Sequence, residues 1–247
     1  MSRLRLGALI ATGAVAALIS AGCSSTSGTA EPAGASAAPA AASTSAEAKA
    51  ASLDAKQAGT AVVAAAKQAK AVHVRGTVSE GGNINLDLQL NPDSASGTIV
   101  KDGLEVPVLR VGDKYYFRFS ESLIKEAGIP ASLSKPLKDK WVPSTSQIGA
   151  GMGEAFKQFL DYKTFTDNTI GEIDSATFSG GEQTTAGGVP ALNFTSSDGT
   201  ATVAAAEPHY LLRMQEPKSG TMEFSDWDKP TTVTAPKASE IYSGPGA

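Results

Sequence analysis

Over much of the chain, apolar side chains recur at every second residue. Val72, Val74 and Val78 alternate with His73, Arg75 and Thr77, and Ile84, Leu86, Leu88 and Leu90 alternate with Asn85, Asp87 and Gln89. A period of two puts one face of a segment in a core and the other in water, so it predicts strands over 72–78 and 84–90. Gly81-Gly82 supplies the turn between them. Asn91-Pro92-Asp93, Asp102-Gly103 and Gly112-Asp113 are turn sequences, and they delimit further strands at 96–101, 104–111 and 114–119. Loops this short cannot make a parallel crossover, so the five strands form an antiparallel meander. A second series is predicted at 175–178, 189–195, 200–205, 210–215 and 220–227. Gly180-Gly181, Gly187-Gly188, Asp198-Gly199, Glu207-Pro208 and Lys218-Ser219-Gly220 punctuate it.

The period becomes helical in three places. Residues 48–70 are Ala-rich and interrupted only by Gly59, with Val62, Val63, Ala66 and Ala69 on one stripe. Shorter helical signals cover 122–127 and 149–162, the latter with Met152, Phe156, Phe159 and Leu160 on a common face. Pro130, Pro136 and Pro143 are expected to break the stretch between them, with a short strand at Trp141-Val142. The tail after Pro230 is expected to run extended at 232–234. Ten or so alternating strands with few helices define an α+β class: a large curved antiparallel sheet, helices packed on its concave face. A half-closed sheet around helices leaves a space that holds either core or ligand. Inward alternation nominates Val62, Leu86, Leu88, Val108, Phe117, Phe156, Leu192, Val203, Leu212 and Phe224 as the residues lining it. Tyr115, Phe117 and Phe119 share one strand face, which serves as core or touches a ligand.

The N-terminus has a different pattern. Arg3 and Arg5 precede an apolar run from Leu6 to Ile19 that ends in Ser20-Ala21-Gly22-Cys23. The run is shorter than the roughly 20 apolar residues a spanning helix needs, and small residues before the cysteine suit a signal peptidase. Residues 1–22 are therefore expected to be a lipoprotein signal peptide and Cys23 the lipid-attachment residue, although Ser20 stands where leucine is favoured. The alternative is an ordinary secreted protein cleaved nearby with a free thiol. Residues 23–47 are almost entirely Ser, Thr, Ala, Gly and Pro, and read as a flexible tether leading to one domain over 48–247. Such a tether has a root-mean-square span of about 27 Å and a maximum reach of about 80 Å.

Charge and residue types narrow the function. Loss of residues 1–22 removes two arginines and no acids, which leaves 19 basic against 25 acidic residues, a net −6. Without a basic cluster the chain is not expected to bind nucleic acid or to grip a membrane by charge. Acyl chains on Cys23 would hold it instead, at about 0.8 kcal/mol per buried methylene. Cys23 is the single cysteine, so no internal disulfide can form. His73 and His209 are the two histidines, and neither has metal-ligand spacing. No nucleophile elbow or P-loop occurs, and Asp226 and Asp228 beside Trp227 read as loop acids before a carboxylate pair. No enzyme, metal or cofactor is expected.

Several short motifs fall in a familiar order. After the tether and the Ala-rich helix come Val72-His73-Val74-Arg75-Gly76, Val111-Gly112-Asp113-Lys114-Tyr115-Tyr116, Lys140-Trp141-Val142 and Phe224-Ser225-Asp226-Trp227-Asp228-Lys229-Pro230. In this the chain resembles the actinobacterial LppX/LprG (LppX_LprAFG) lipoproteins. The resemblance implies a LolA-like half-barrel, lipid-anchored on the outer face of the cell membrane, whose apolar cavity carries acyl lipids or lipoglycans through the envelope. It transfers no ligand-binding side chain, because such a cavity is lined by varied apolar residues. The competing expectation is a structural or regulatory envelope lipoprotein with a filled core, acting through envelope or transporter proteins. Cavity volume separates the two.

Overall fold

The first described residues, Ser52 and Leu53, lead into Asp54, whose carboxylate accepts a hydrogen bond from the Lys56 amide (2.8 Å) and caps α1 (Ala55–Gln68). The computed structural model describes residues 52–79 and 83–247. The expected signal peptide, Cys23, the expected tether and the expected Gly81-Gly82 turn lie outside them. Helix α1 is shorter than expected, because Ser52, Leu53 and Asp54 are not helical. Its stripe is the predicted one, with Val62, Val63, Ala66 and the flanking Ala69 all buried.

Eleven antiparallel strands form one sheet: β1 (Val72–Val78), β2 (Ile84–Asn91), β3 (Ser94–Lys101), β4 (Leu104–Val111), β5 (Lys114–Arg118), β6 (Trp141–Pro143), β7 (Ser179–Ala186), β8 (Val189–Thr195), β9 (Thr200–Ala204), β10 (Leu211–Glu216) and β11 (Gly220–Ser225). Their order is β6-β5-β4-β3-β2-β1-β11-β10-β9-β8-β7. Two sequential meanders are thus joined by a single seam, in which His73 lies opposite Ser225, Val74 opposite Phe224 and Gly76 opposite Met222. The sheet does not close, since β6 and β7 remain its edges.

The helices are α2 (Glu121–Glu126), α3 (Ala131–Leu137), α4 (Ala150–Leu160) and α5 (Tyr162–Phe165), followed by a π turn (Thr166–Ile170) and a 3₁₀ turn (Gly171–Ser175). They cover the sheet's apolar face, and α1, the helical segments and the inward row of every strand from β1 to β6 share one core with β8 to β11. Buried Arg110 at the end of β4 reaches across this junction: its guanidinium donates to the Pro92 carbonyl (3.0 Å) and pairs with Asp161 (3.0 Å), which in turn caps α5 through the Thr164 amide and hydroxyl. Burial alone would push the Asp161 carboxyl up, but those two hydrogen bonds and the nearby Arg110 hold it below its ordinary value. Tyr162, also buried, donates to the Ala66 carbonyl (2.8 Å) and so fastens α5 to α1.

Two expectations are corrected. Residues 131–137 are helical despite Pro136: the proline forfeits one amide hydrogen bond, but it stands one residue from the helix end, so little helix lies beyond it to be kinked, and buried Leu137 anchors the segment. The strand expected at 175–178 lies at Ser179–Ala186, and Gly180-Gly181 is inside it as a bulge with φ of 94° and 109°. The tail over 232–234, expected to run extended, joins no sheet; Asn91 holds the residue before it, exchanging hydrogen bonds with the Thr231 backbone at 3.1 Å.

Candidate functional site

The concave face is where the nominated residues gather. Val62 on α1, Leu86 and Leu88 on β2, Val108 on β4, Phe117 on β5, Leu192 on β8, Val203 on β9 and Phe224 on β11 are each at most 4% exposed and belong to the common core. Phe156, half-buried on α4, lies against Phe117 with ring centroids 5.4 Å apart. Leu212 is the exception. A bulge between Leu211 and Arg213 shifts the register, so fully buried Leu211 takes the inward position and Leu212 borders the outer face. Across most of the concave face the nominated residues therefore meet the helices in close packing. Among the described residues no open chamber lies between these side chains.

Space appears instead at the rim, where the helical layer leaves the sheet. One recess of about 190 Å³ is walled by Val78, Leu86, Phe159, Phe165, Met214 and Met222. A second, of about 520 Å³, adjoins it on the side of β8 and β9, with Ile173, Phe178 and Ala201 as its apolar wall and Ser196, Asp198 and Thr200 as its polar lip. Both share Thr169, Glu172, Met214 and Glu216, so the π and 3₁₀ turns over Thr166–Ser175 stand like a bridge between the two recesses. Of the ten nominated residues, the rim includes only Leu86. What sequence reasoning missed is the pair Met214 and Met222, which face each other across β10 and β11. Two methionines at facing inward positions were the available signal, because an unbranched thioether adapts to an irregular space.

The chain offers little else for chemistry here. Among the described residues no group of three or more His, Cys, Asp or Glu is placed to hold a metal ion. Among them, too, no helix is long and apolar enough to cross a membrane. His73 lies on the outer face, bonded through Nε2 to Asp87 (2.7 Å), and His209 bonds the Ala204 carbonyl (3.0 Å). Asp226 pairs with Lys229, whereas Asp228 accepts from the Lys70 amide (2.7 Å) and the Tyr210 hydroxyl. Burial, and then Asp228, push the Tyr210 phenol up to about 12. These acids brace the end of the sheet, where Trp227 stacks on Tyr210 and donates to the Leu211 carbonyl (2.8 Å).

An open antiparallel sheet wrapped around helices defines a half-barrel. The same fold is found in LprF from Mycobacterium bovis, with a TM-score of 0.51 at 12% identity over 74% of this chain and 96% of that one. The chain is also similar to the Mycobacterium tuberculosis lipoprotein LppX (TM-score 0.47, 15% identity, 73% of this chain and 98% of that one). A more distant similarity is to the Pseudomonas aeruginosa MucA/MucB complex (TM-score 0.32, 12% identity, 78% of this chain and 62% of that one). No family model matches the sequence, and no curated protein matches it. The half-barrel implied by the sequence motifs is thus the fold of LprF, at an identity that fixes architecture alone.

Proposed function

We propose that this protein is a lipid-anchored lipoprotein of the cell envelope that accepts an acyl chain at the rim of its half-barrel, as a carrier or chaperone for envelope lipids. The observation that carries the reading is the pair of recesses beside Met214 and Met222, the place on the concave side where sheet and helices part. The smaller recess joins its apolar wall to polar neighbours such as Asn168, Glu172 and Glu216 and is below the roughly 300 to 1,000 Å³ of ordinary ligand sites. The larger falls within that range. A chain entering beside Phe159 and Phe165 extends toward β9 by displacing the bridge over Thr166–Ser175. That bridge includes a π-helical turn, a local departure from regular helix that is frequent at functional sites. Burial of methylenes supplies the affinity, and the polar lip at Ser196 and Asp198 meets the head group.

The close packing of Val62, Leu88, Val108 and Phe117 favours a second reading, in which a filled half-barrel acts through protein partners. One experiment separates them. The Cys23→Ser protein is purified and titrated with a fluorescent C16 fatty acid, alongside native mass spectrometry for co-purified lipid. Saturable uptake that falls roughly ten-fold in Met222→Trp, which fills the small recess, supports the carrier. Neither bound lipid nor uptake leaves the partner reading. The anchor is tested separately: labelled palmitate should enter the intact chain and be absent from Cys23→Ser.

A further inference from the structure

The outer face of the sheet carries a row that the acyl reading does not use. By register, Arg75 on β1 lies opposite Glu223 on β11, Glu223 opposite Arg213 on β10, Arg213 opposite Thr202 on β9, and Thr202 opposite Asn193 on β8. One hydrogen-bonding side chain is thus contributed by each of five consecutive strands. The row forms the floor of a groove of about 800 Å³. The bulge at Leu211/Arg213 bends the sheet beneath it, and the β7 to β8 turn with exposed Val189 (43%) makes its far wall. A second short row, His73 and Ser225, flanks the first.

The chemistry of the row selects its ligand. Charge alternates and cancels: Asp87 binds Arg75 through two nitrogens (2.8 and 3.0 Å) and His73 through its other oxygen, Glu223 stands between Arg75 and Arg213, and Asp226 pairs with Lys229. With Asp87 counted beside the row, Arg75, Arg213 and Lys229 are balanced by Asp87, Glu223 and Asp226, so the groove offers little to a polyanion or a polycation. It does offer donors and acceptors already oriented by their neighbours, such as the Thr202 hydroxyl bonded to Asn193 (2.8 Å). Arg213 forms no ion pair among the described residues, so its guanidinium presents a full fork of donors. Adjacent strands are about 4.8 Å apart, so polar groups recur along the row at close to the length one hexose adds to an extended glycan.

We propose that this groove binds a neutral, linear glycan laid across the strands, about one sugar residue per strand, on the face of the sheet opposite the acyl recess. The two sites are separated by the sheet itself, so one does not depend on occupancy of the other.

The test uses the Cys23→Ser protein and isothermal titration with glucose, cellobiose, cellotetraose, chitotetraose and mannotetraose, plus a sulfated heparin tetrasaccharide. The expected result is affinity that rises with chain length, roughly ten-fold or more from one residue to four, for at least one of the neutral series, and that is unchanged by added salt. The double variant Arg213→Ala/Asn193→Ala should lose roughly ten-fold in that affinity while still melting cooperatively and keeping the parent's fatty-acid uptake. Retained affinity in that variant, no binding of any neutral tetrasaccharide, or salt-sensitive binding of the sulfated sugar alone each overturns the proposal.

Discussion

Arg110 shows how much one residue can hold. It is 6% exposed, pairs with Asp161, bonds the Pro92 carbonyl and lies over the Tyr115 ring at 6.0 Å. Removing it deprives Asp161, itself one-fifth exposed, of its cation and the Pro92 carbonyl of a donor, so Arg110→Ala is expected to cost about 1 to 3 kcal/mol in urea unfolding. Asp87 acts more mildly. The His73 hydrogen bond, and then Arg75, hold its carboxyl below the ordinary value against the opposing effect of partial burial. A depressed folded pKa contributes stability above the unfolded carboxylate range and loses it as pH falls through the folded value. Melting temperature should therefore fall on acidification from about pH 5 to about pH 2, and Asp87→Asn should fall less than the parent over that interval. Single positions also mark where pattern reading ends. Nothing in the alternation of 210–215 distinguishes Leu211 from Leu212, because a bulge is set by pairing with β9 and leaves both residues apolar.

Elements with a strict period were legible nearly to the residue. Strands β1, β4 and β8 have the predicted bounds, since each has one face in the core and one in water. Edge strand β7 was not legible: seven of its eight residues are polar or glycine, because neither face is deeply buried and its pairing with β8 supplies the order. The 3₁₀ turn at Gly171–Ser175 has a similar cause, being shaped by α1. A Cβ on Gly59 would lie 2.6 Å from the Ile173 carbonyl oxygen, and Thr60 donates to Asp174 (2.7 Å). The interruption in the Ala-rich helix is thus a contact point. Gly59→Ala gains about 1 kcal/mol of helix propensity but forces backbone apart, and a net loss of about 1 to 3 kcal/mol is expected by thermal unfolding. Asp54→Ala should cost about 1 kcal/mol more simply, by uncapping the same helix.

At the scale of the molecule, the sequence conveyed the class of fold but not the state of its interior. Alternation says which side chains face inward; whether they touch depends on how far the helices sink, which is a matter of volumes summed over many residues. Phe117, fully buried against Phe156, reports on that packing, and Phe117→Ala is expected to cost about 3 to 5 kcal/mol if the layers cannot collapse. The seam between the meanders has a different consequence. His73 and Ser225 face each other 152 residues apart, so β1 finds one of its two neighbours only when the last strand arrives. A chain truncated after residue 218 should lack a cooperative melt by circular dichroism. A polypeptide threaded outward N-terminus first would wait with its earliest strand bare along one edge, vulnerable to proteases and to its own copies. On the export route proposed above, only release of the final hairpin from the pore would let the halves join, and the sheet would be completed on the far side of the membrane.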